Sequence, residues 1–297
     1  MNEKQLIINE TLVSNLIAIQ FPHWQKLTIR PVAYSGHDNR TFHLGEHLLV
    51  RLPSCADYAL SVTTEQLWLP KLAPFLPLPI PQPLALGRSE LEYLWPWSIY
   101  SWLPGASAAH APINNLRDFA ISLANFLLQL QKINATGGPG AGAHNFYRGG
   151  PLAIYDTQTQ QAIAILKNKL DVAMVTEVWE SALATIWNNP PVWVHGDISF
   201  GNLLVNNGCL SAVIDFGQLA VGDPACDLAI TWTQFKGESR EAFKDALALD
   251  AGTWARARGW TLWKALIIAA DRTTTNAVEV EQAWHIIDEV ITDYKNI

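Results

Sequence analysis

Val192-Trp-Val-His-Gly-Asp-Ile-Ser-Phe-Gly-Asn-Leu-Leu-Val205 runs into Asn206-Asn207-Gly208, then through Leu210-Ser-Ala-Val-Ile-Asp-Phe-Gly217 to Gly222-Asp-Pro-Ala-Cys-Asp-Leu-Ala229. Two short apolar runs flank an Asn-Gly pair, a dipeptide that accepts the positive φ angles of a tight hairpin turn, so the stretch predicts a β-hairpin. Asn202 stands just before the first strand and Asp215 just after the second. Pairing the strands brings both side chains to the open end of the hairpin, with Asp197 on the loop leading in.

Two oxygen ligands converging on one point suit a hard Mg²⁺ ion whose shell is completed by phosphates and water, and the third carboxylate is left for other work. The interval from Asp197 to Asn202 is D-x-x-x-x-N, the spacing of a kinase catalytic loop, and Asp215-Phe216-Gly217 takes the place of the metal-binding Asp-Phe-Gly. His195-Gly196-Asp197 stands where protein kinases carry His-Arg-Asp. With glycine in the middle and Gly222-Asp223-Pro224-Ala225-Cys226-Asp227 following, the stretch resembles the aminoglycoside and macrolide phosphotransferase family, small-molecule kinases on a protein-kinase-like fold. Any one of these motifs alone is common; three in this order and at these intervals are not.

The resemblance is most specific over 192–229 and loose before residue 60. It implies that Asp197 accepts or orients a hydroxyl proton and that Asn202 and Asp215 hold Mg²⁺. It also implies that Asp227 braces the catalytic loop through hydrogen bonds to its backbone. The alternative for Asp227 is a carboxylate in the first turn of a helix begun by Asp223 and Pro224, favourable against the dipole by about 0.3–1 kcal/mol. His195, at the end of an apolar strand, is expected to be a hydrogen-bonded scaffold for its loop. About six residues separate Phe216 from Asp223, too few for the long activation segment with which a protein kinase docks a peptide, so a small-molecule acceptor is expected.

The 297 residues suffice for one large domain or two lobes sharing a cleft. Hydrophobic residues make up 49% and charged ones 16%, which excludes a disordered chain. A net charge of −7 argues against a nucleic-acid partner. The acid excess is concentrated after residue 220, where it either attracts a cationic acceptor or serves solubility. Cys55, Cys209 and Cys226 are odd in number and far apart, so no disulfide framework or zinc spacing is present. Neither a leader pattern at Met-Asn-Glu-Lys-Gln nor a run of about 18 apolar residues occurs, so a cytoplasmic location without membrane attachment is expected. His43 and His47 do not form a zinc motif, and no Walker loop or nucleophile elbow appears.

Residues 9–20 predict a helix capped near Asn9 or Thr11, with Leu12, Leu16 and Ile19 on one face. An antiparallel meander follows over 26–53, with a turn at Ser35-Gly36-His37-Asp38-Asn39. Arg51 is a charged residue in an otherwise apolar strand, and Glu65 lies on a helix predicted over 61–73. A strand cation paired with a helix acid is how kinases hold the α- and β-phosphates. The resembled family usually has Lys there; a surface Arg on an edge strand is the other reading. The glycine-rich phosphate loop is absent, leaving Ser35, Asn39 or backbone amides to cover the nucleotide. The Pro-rich stretch 76–83 reads as a stiff connector. Strands are predicted over 84–87 and 91–95 and again over 97–103, ending at Pro104-Gly105, the expected hinge. In the resembled fold the hinge backbone pairs with the nucleobase, which falls on Ser101 and Leu103.

Beyond the hinge the periodicity is helical. Phe119, Leu123, Phe126, Leu127, Leu130 and Ile133 share a face, and Gly137-Gly-Pro-Gly140 stops the run. The polar loop 143–150, with His144, Asn145 and Arg148, has no patterned role. Helices are expected over 157–170 and 176–187, with Thr157 and Thr176 as N-caps. The tail 239–297 reads as helices capped near Ser239, Thr253 and Thr261; Leu262, Leu266 and Ala269 mark one apolar face and Val280, Ala283, Trp284, Ile287 and Ile291 another. The resemblance places such helices beside the acceptor, where Trp232 and Asp271 are candidates.

The resulting expectation is an α+β, bilobal, protein-kinase-like fold: a nucleotide-binding lobe of antiparallel sheet over 1–103, a hinge near 101–105, and a larger, mainly helical catalytic lobe over 104–297. The reaction implied is transfer of the γ-phosphate of ATP or GTP to a hydroxyl of a small molecule of the aminoglycoside or macrolide type. A kinase of a sugar, amino alcohol or choline-like metabolite is an alternative, and a catalytically silent nucleotide-binding regulator another.

Overall fold

A computed structural model describes residues 7–33, 36, 38–271 and 276–297; Ser35 and His37 of the expected nucleotide-covering turn lie outside the described residues. Helix α1 (Glu10–Gln20) is capped by Asn9, whose side chain accepts the Leu12 N–H. It buries Leu12, Val13, Leu16 and Ile17, while Ile19, expected on that face, is 50% exposed. Strands β1 (Ile29–Pro31), β2 (Asn39–Leu44) and β3 (Leu48–Pro53) form the meander, and α2 (Ala56–Leu72) begins five residues earlier than its apolar pattern indicated. Next come β4 (Pro83–Gly87) and β5 (Trp97–Ser101), closing an antiparallel sheet in the order β1-β2-β3-β5-β4. The strand expected over 91–95 does not form. Leu91 turns back with φ 55° and only a Glu90–Tyr93 bridge remains, so that Tyr93 alone of its neighbours dives into the core.

Past a two-residue strand β6 (Ala106–Ser107), the chain becomes helical: α3 (Leu116–Lys132), α4 (Asp156–Leu166) and α5 (Val172–Leu183). α3 buries Phe119, Leu123, Phe126, Leu127 and Leu130, as its spacing predicts. Asp171, not Thr176, caps α5, and α4 starts at Asp156, one residue before Thr157. Short strands β7 (Val192–Val194), β8 (Leu203–Asn206), β9 (Cys209–Val213) and β10 (Ala220–Gly222) follow. β8 and β9 make the hairpin, with Asn207 at φ 51° and Gly208 at φ 76°. β10, which no sequence pattern marked, pairs antiparallel with β7.

The tail forms α6 (Ile230–Thr233), α7 (Glu238–Leu247), α8 (Ala251–Ala270) and α9 (Ala277–Lys295). Its caps differ from expectation. Gly237 precedes α7, Asp250 accepts the Thr253 N–H, and Thr261 lies inside α8 with its hydroxyl on the Ala257 carbonyl. One apolar cluster joins α2 to the helical part and another fills the space between α1 and the sheet. Among the described residues no helix is long and apolar enough to cross a membrane.

Candidate functional site

The hairpin does what its sequence requires. Leu203 pairs with Val213, and one step beyond, the Ile214 N–H donates to the Asn202 carbonyl at 2.9 Å. Asn202 and Asp215 thus stand together at the open end. The Asn202 amide nitrogen donates at 2.9 Å to both the backbone carbonyl and the Oδ2 of Asp197. With the nitrogen so used, the Asn202 amide oxygen is the donor atom left for a cation, and Asp215 supplies a carboxylate beside it. Two hard oxygen donors of this kind fit Mg²⁺ and not a soft metal.

Arg51 lies at the centre of the sheet, opposite Thr41 on β2 and Ser98 on β5, so it is no edge-strand surface residue. Its side chain is 12% exposed and bridges two acids: Nη2 lies 2.6 Å from Asp215 Oδ1 and Nη1 lies 3.3 Å from Glu65 Oε1. The Tyr100 hydroxyl donates to Glu65 as well. Burial alone disfavours the Arg51 cation, but the Asp215 and Glu65 carboxylates outweigh it and hold the guanidinium protonated beyond its ordinary range. For Asp215 burial works upward and Arg51 wins, leaving the carboxyl below the usual range. Burial prevails at Glu65, which is raised despite Arg51. Asp215 adopts φ 65°, a left-handed conformation in which Asp is tolerated better than most residues and which aims its carboxylate at Arg51.

The backbone of the His195–Asp197 loop is tied from below. Asp227, fully buried in a 3₁₀ turn over Pro224–Leu228, accepts the His195 N–H at 2.8 Å and the Gly196 N–H at 2.7 Å. Burial nevertheless raises its carboxyl above the usual range, against the pull of those two amides. His195 accepts the Asp197 N–H on Nδ1 at 3.1 Å and meets the Ile214 carbonyl through Nε2 at 3.0 Å. An acceptor on one ring nitrogen and a donor on the other specify the neutral Nε2–H tautomer, a scaffold rather than a base.

Ser101 donates its N–H to the Gln82 carbonyl at 3.0 Å, so a contact from that residue to a base falls to its carbonyl; Leu103 lies two residues beyond β5. Trp232 is 1% exposed and packs edge-on against Trp254 at 6.2 Å, which makes it a core residue instead of an acceptor contact. Asp271 ends α8, its N–H on the Ile267 carbonyl. A crevice opens between Asp38, Tyr58, Phe146, Asp197, Asp215 and Gly217. Phe146 enters it from the 143–150 loop, which sequence left without a role. Phe146 and Tyr147 have φ of 51° and 58°, and Asn145, 1% exposed, holds the loop by contacts to the Gly142 N–H and the Gly140 carbonyl. Successive positive φ values at bulky residues are the signal, and they are invisible before folding.

A family described as the phosphotransferase enzyme family matches residues 28–260. Curated protein sequences gave no significant match. Among solved structures, the GDP and kanamycin complex of APH(2")-IIia aligns with a TM-score of 0.72 at 17% identity, over 96% of this chain and 99% of that one. The streptomycin–ATP complex of APH(2")-IIa gives 0.62 at 17%, over 95% and 97%. The apoenzyme of a macrolide 2'-phosphotransferase from Brachybacterium faecium gives 0.61 at 22%, over 94% and 97%. At these identities the likeness establishes the bilobal kinase-like fold.

Proposed function

Because the chain belongs to the phosphotransferase enzyme family, we propose that it transfers the γ-phosphoryl group of ATP or GTP to a hydroxyl of a small molecule of the aminoglycoside or macrolide type. The observation that carries the reading is the meeting of Asp197, Asn202 and Asp215 at one end of the β8–β9 hairpin, with Arg51 bonded to Asp215. The antibiotics and nucleotides held by the structural neighbours support the choice of donor and acceptor. A small acceptor also suits the site, because β10 pairs with β7 directly after the Asp-Phe-Gly and leaves no chain to dock a peptide.

In this reading residues 1–103 form the nucleotide lobe and 104–297 the catalytic lobe, with Ser101 and Leu103 offering backbone to the base. Asn202 and Asp215 would hold Mg²⁺, which would supply charge neutralisation at the phosphates. Arg51, steadied by Glu65, places the α- and β-phosphates. Asp197 gives one carboxylate oxygen to Asn202 and uses the other to accept the acceptor's proton, while Asp227 keeps the loop in place. Catalysis is then positioning and charge stabilisation, since phosphoryl transfer asks for little covalent help.

The test is nucleotide consumption over a panel of aminoglycosides, macrolides, sugars and amino alcohols, with and without EDTA. Phosphate on one acceptor, lost with the chelator, is the expected result. Tight nucleotide binding without transfer to any of them would replace the enzyme by a nucleotide-binding regulator. Arg51→Lys keeps a charge but not the fork that reaches two carboxylates. Losing one charge-assisted hydrogen bond in this way is expected to raise the nucleotide KM about tenfold, with a smaller effect on kcat, in initial rates at saturating acceptor.

A further inference from the structure

Arg148 reaches the catalytic loop from a segment about 50 residues away. Its Nε donates to the Gly196 carbonyl at 2.7 Å, and its guanidinium carbon lies 5.2 Å from the centre of the Trp260 ring on α8. Gly196 has φ 87°, and a Cβ there would come within 2.4 Å of the Gln218 carbonyl oxygen and 3.0 Å of Arg148 Cγ. The loop therefore lacks a side chain in the middle of His195-Gly196-Asp197, and the space one would fill is taken by the Gln218 carbonyl and the Arg148 side chain.

We propose that Arg148 is a positioning residue for Asp197. It fixes the carbonyl of the Gly196–Asp197 peptide, as Asp227 fixes the His195 and Gly196 N–H groups. Anchors on consecutive peptides remove the freedom of the backbone to tilt, and tilt is what would swing the Asp197 carboxylate away from an acceptor hydroxyl. The anchor is itself held. The Gly149 carbonyl accepts the Asp223 N–H at 2.8 Å, and the Tyr155 hydroxyl donates to the Phe146 carbonyl. The left-handed turn at Phe146 and Tyr147 is the shape that delivers Arg148 to Gly196.

This role rests on the phosphotransfer reading, and two measurements separate their failures. For the active parent protein, R148A is expected to lower kcat by about 10- to 100-fold, as a slightly misplaced catalytic group does, with the nucleotide KM changed less than about twofold. R148K or added guanidinium should recover part of the loss. Hydrogen exchange at the His195, Gly196 and Asp197 amides, which needs no acceptor, should accelerate in R148A more than exchange elsewhere. Unchanged kcat together with unchanged exchange at those amides overturns the proposal, as does a loss confined to KM. Faster local exchange in a chain that transfers no phosphate upholds the anchor and removes the reaction. Should R148A fail to fold, R148K carries both measurements.

Discussion

Asp197→Ala is expected to lower kcat by at least about 10²-fold while nucleotide affinity stays within about threefold, because a positioned base contributes on that scale and acts only when the hydroxyl attacks. Asp197 lines the crevice but bonds neither Arg51 nor Asp215; its side-chain link is to the amide of Asn202. Removing the carboxylate therefore leaves the phosphate-holding pair in place. Asp197→Asn is the sharper variant. It keeps the shape and removes the negative charge, so a base role predicts a loss near that of alanine, whereas a purely steric role predicts near-parent turnover. Calorimetric nucleotide titration beside steady-state rates decides the matter. A kcat within tenfold of the parent for both variants would remove Asp197 from the chemistry.

The parts of this site that sequence exposed share a property: each is a polar residue out of keeping with its surroundings. Arg51 in an apolar strand, Asp215 at the end of one, and Asn202 before another are conspicuous because a half-buried strand tolerates a polar or charged side chain only with a partner. The Asn207-Gly208 turn fixes the register that brings two of them together. What stayed hidden is made by the backbone. The link from the 143–150 loop to the catalytic loop runs through carbonyls and amides, and β10 is three residues, Ala220–Gly222, whose partner lies 26 positions upstream, as Ala220 opposite Val194 shows. Trp232 was misplaced for a different reason. An indole on a short helix has the same pattern in a core as in a pocket wall, and only its 1% exposure separates them. Thr253 looked like a cap because hydroxyls cap helices, but Asp250 three residues earlier takes its N–H and its hydroxyl as well.

The strongest effect on stability is expected at Asp223. Its Oδ2 meets Arg256 Nε at 2.6 Å and its Oδ1 meets Nη2 at 3.3 Å, with side chains 6% and 4% exposed. Oδ1 also caps the 3₁₀ turn by accepting the Ala225 N–H at 3.1 Å. Among the described residues, Asp223→Ala would strand a buried guanidinium that keeps hydrogen bonds to the hydroxyls of Thr253 and Thr185 and a ring contact to Trp187 but no carboxylate hydrogen bond. Breaking such a pair costs about 3–5 kcal/mol, which for a chain of this size lowers the melting temperature on the order of 10 °C. Replacing both partners, as in Asp223→Leu with Arg256→Met, should return most of that stability, since well-packed apolar groups avoid the desolvation that the pair carries. Activity should separate the two variants differently. The turn that Asp223 begins carries Asp227, so loss of the cap loosens the support of His195 and Gly196 whether or not the apolar pair restores folding. Thermal melts and kcat measured on the parent, the single and the double variant test both halves. A single variant as stable as the parent would mean that the Arg256 contact is not the strut between α8 and the catalytic loop, and a double variant with full kcat would mean that the turn holds Asp227 without its cap.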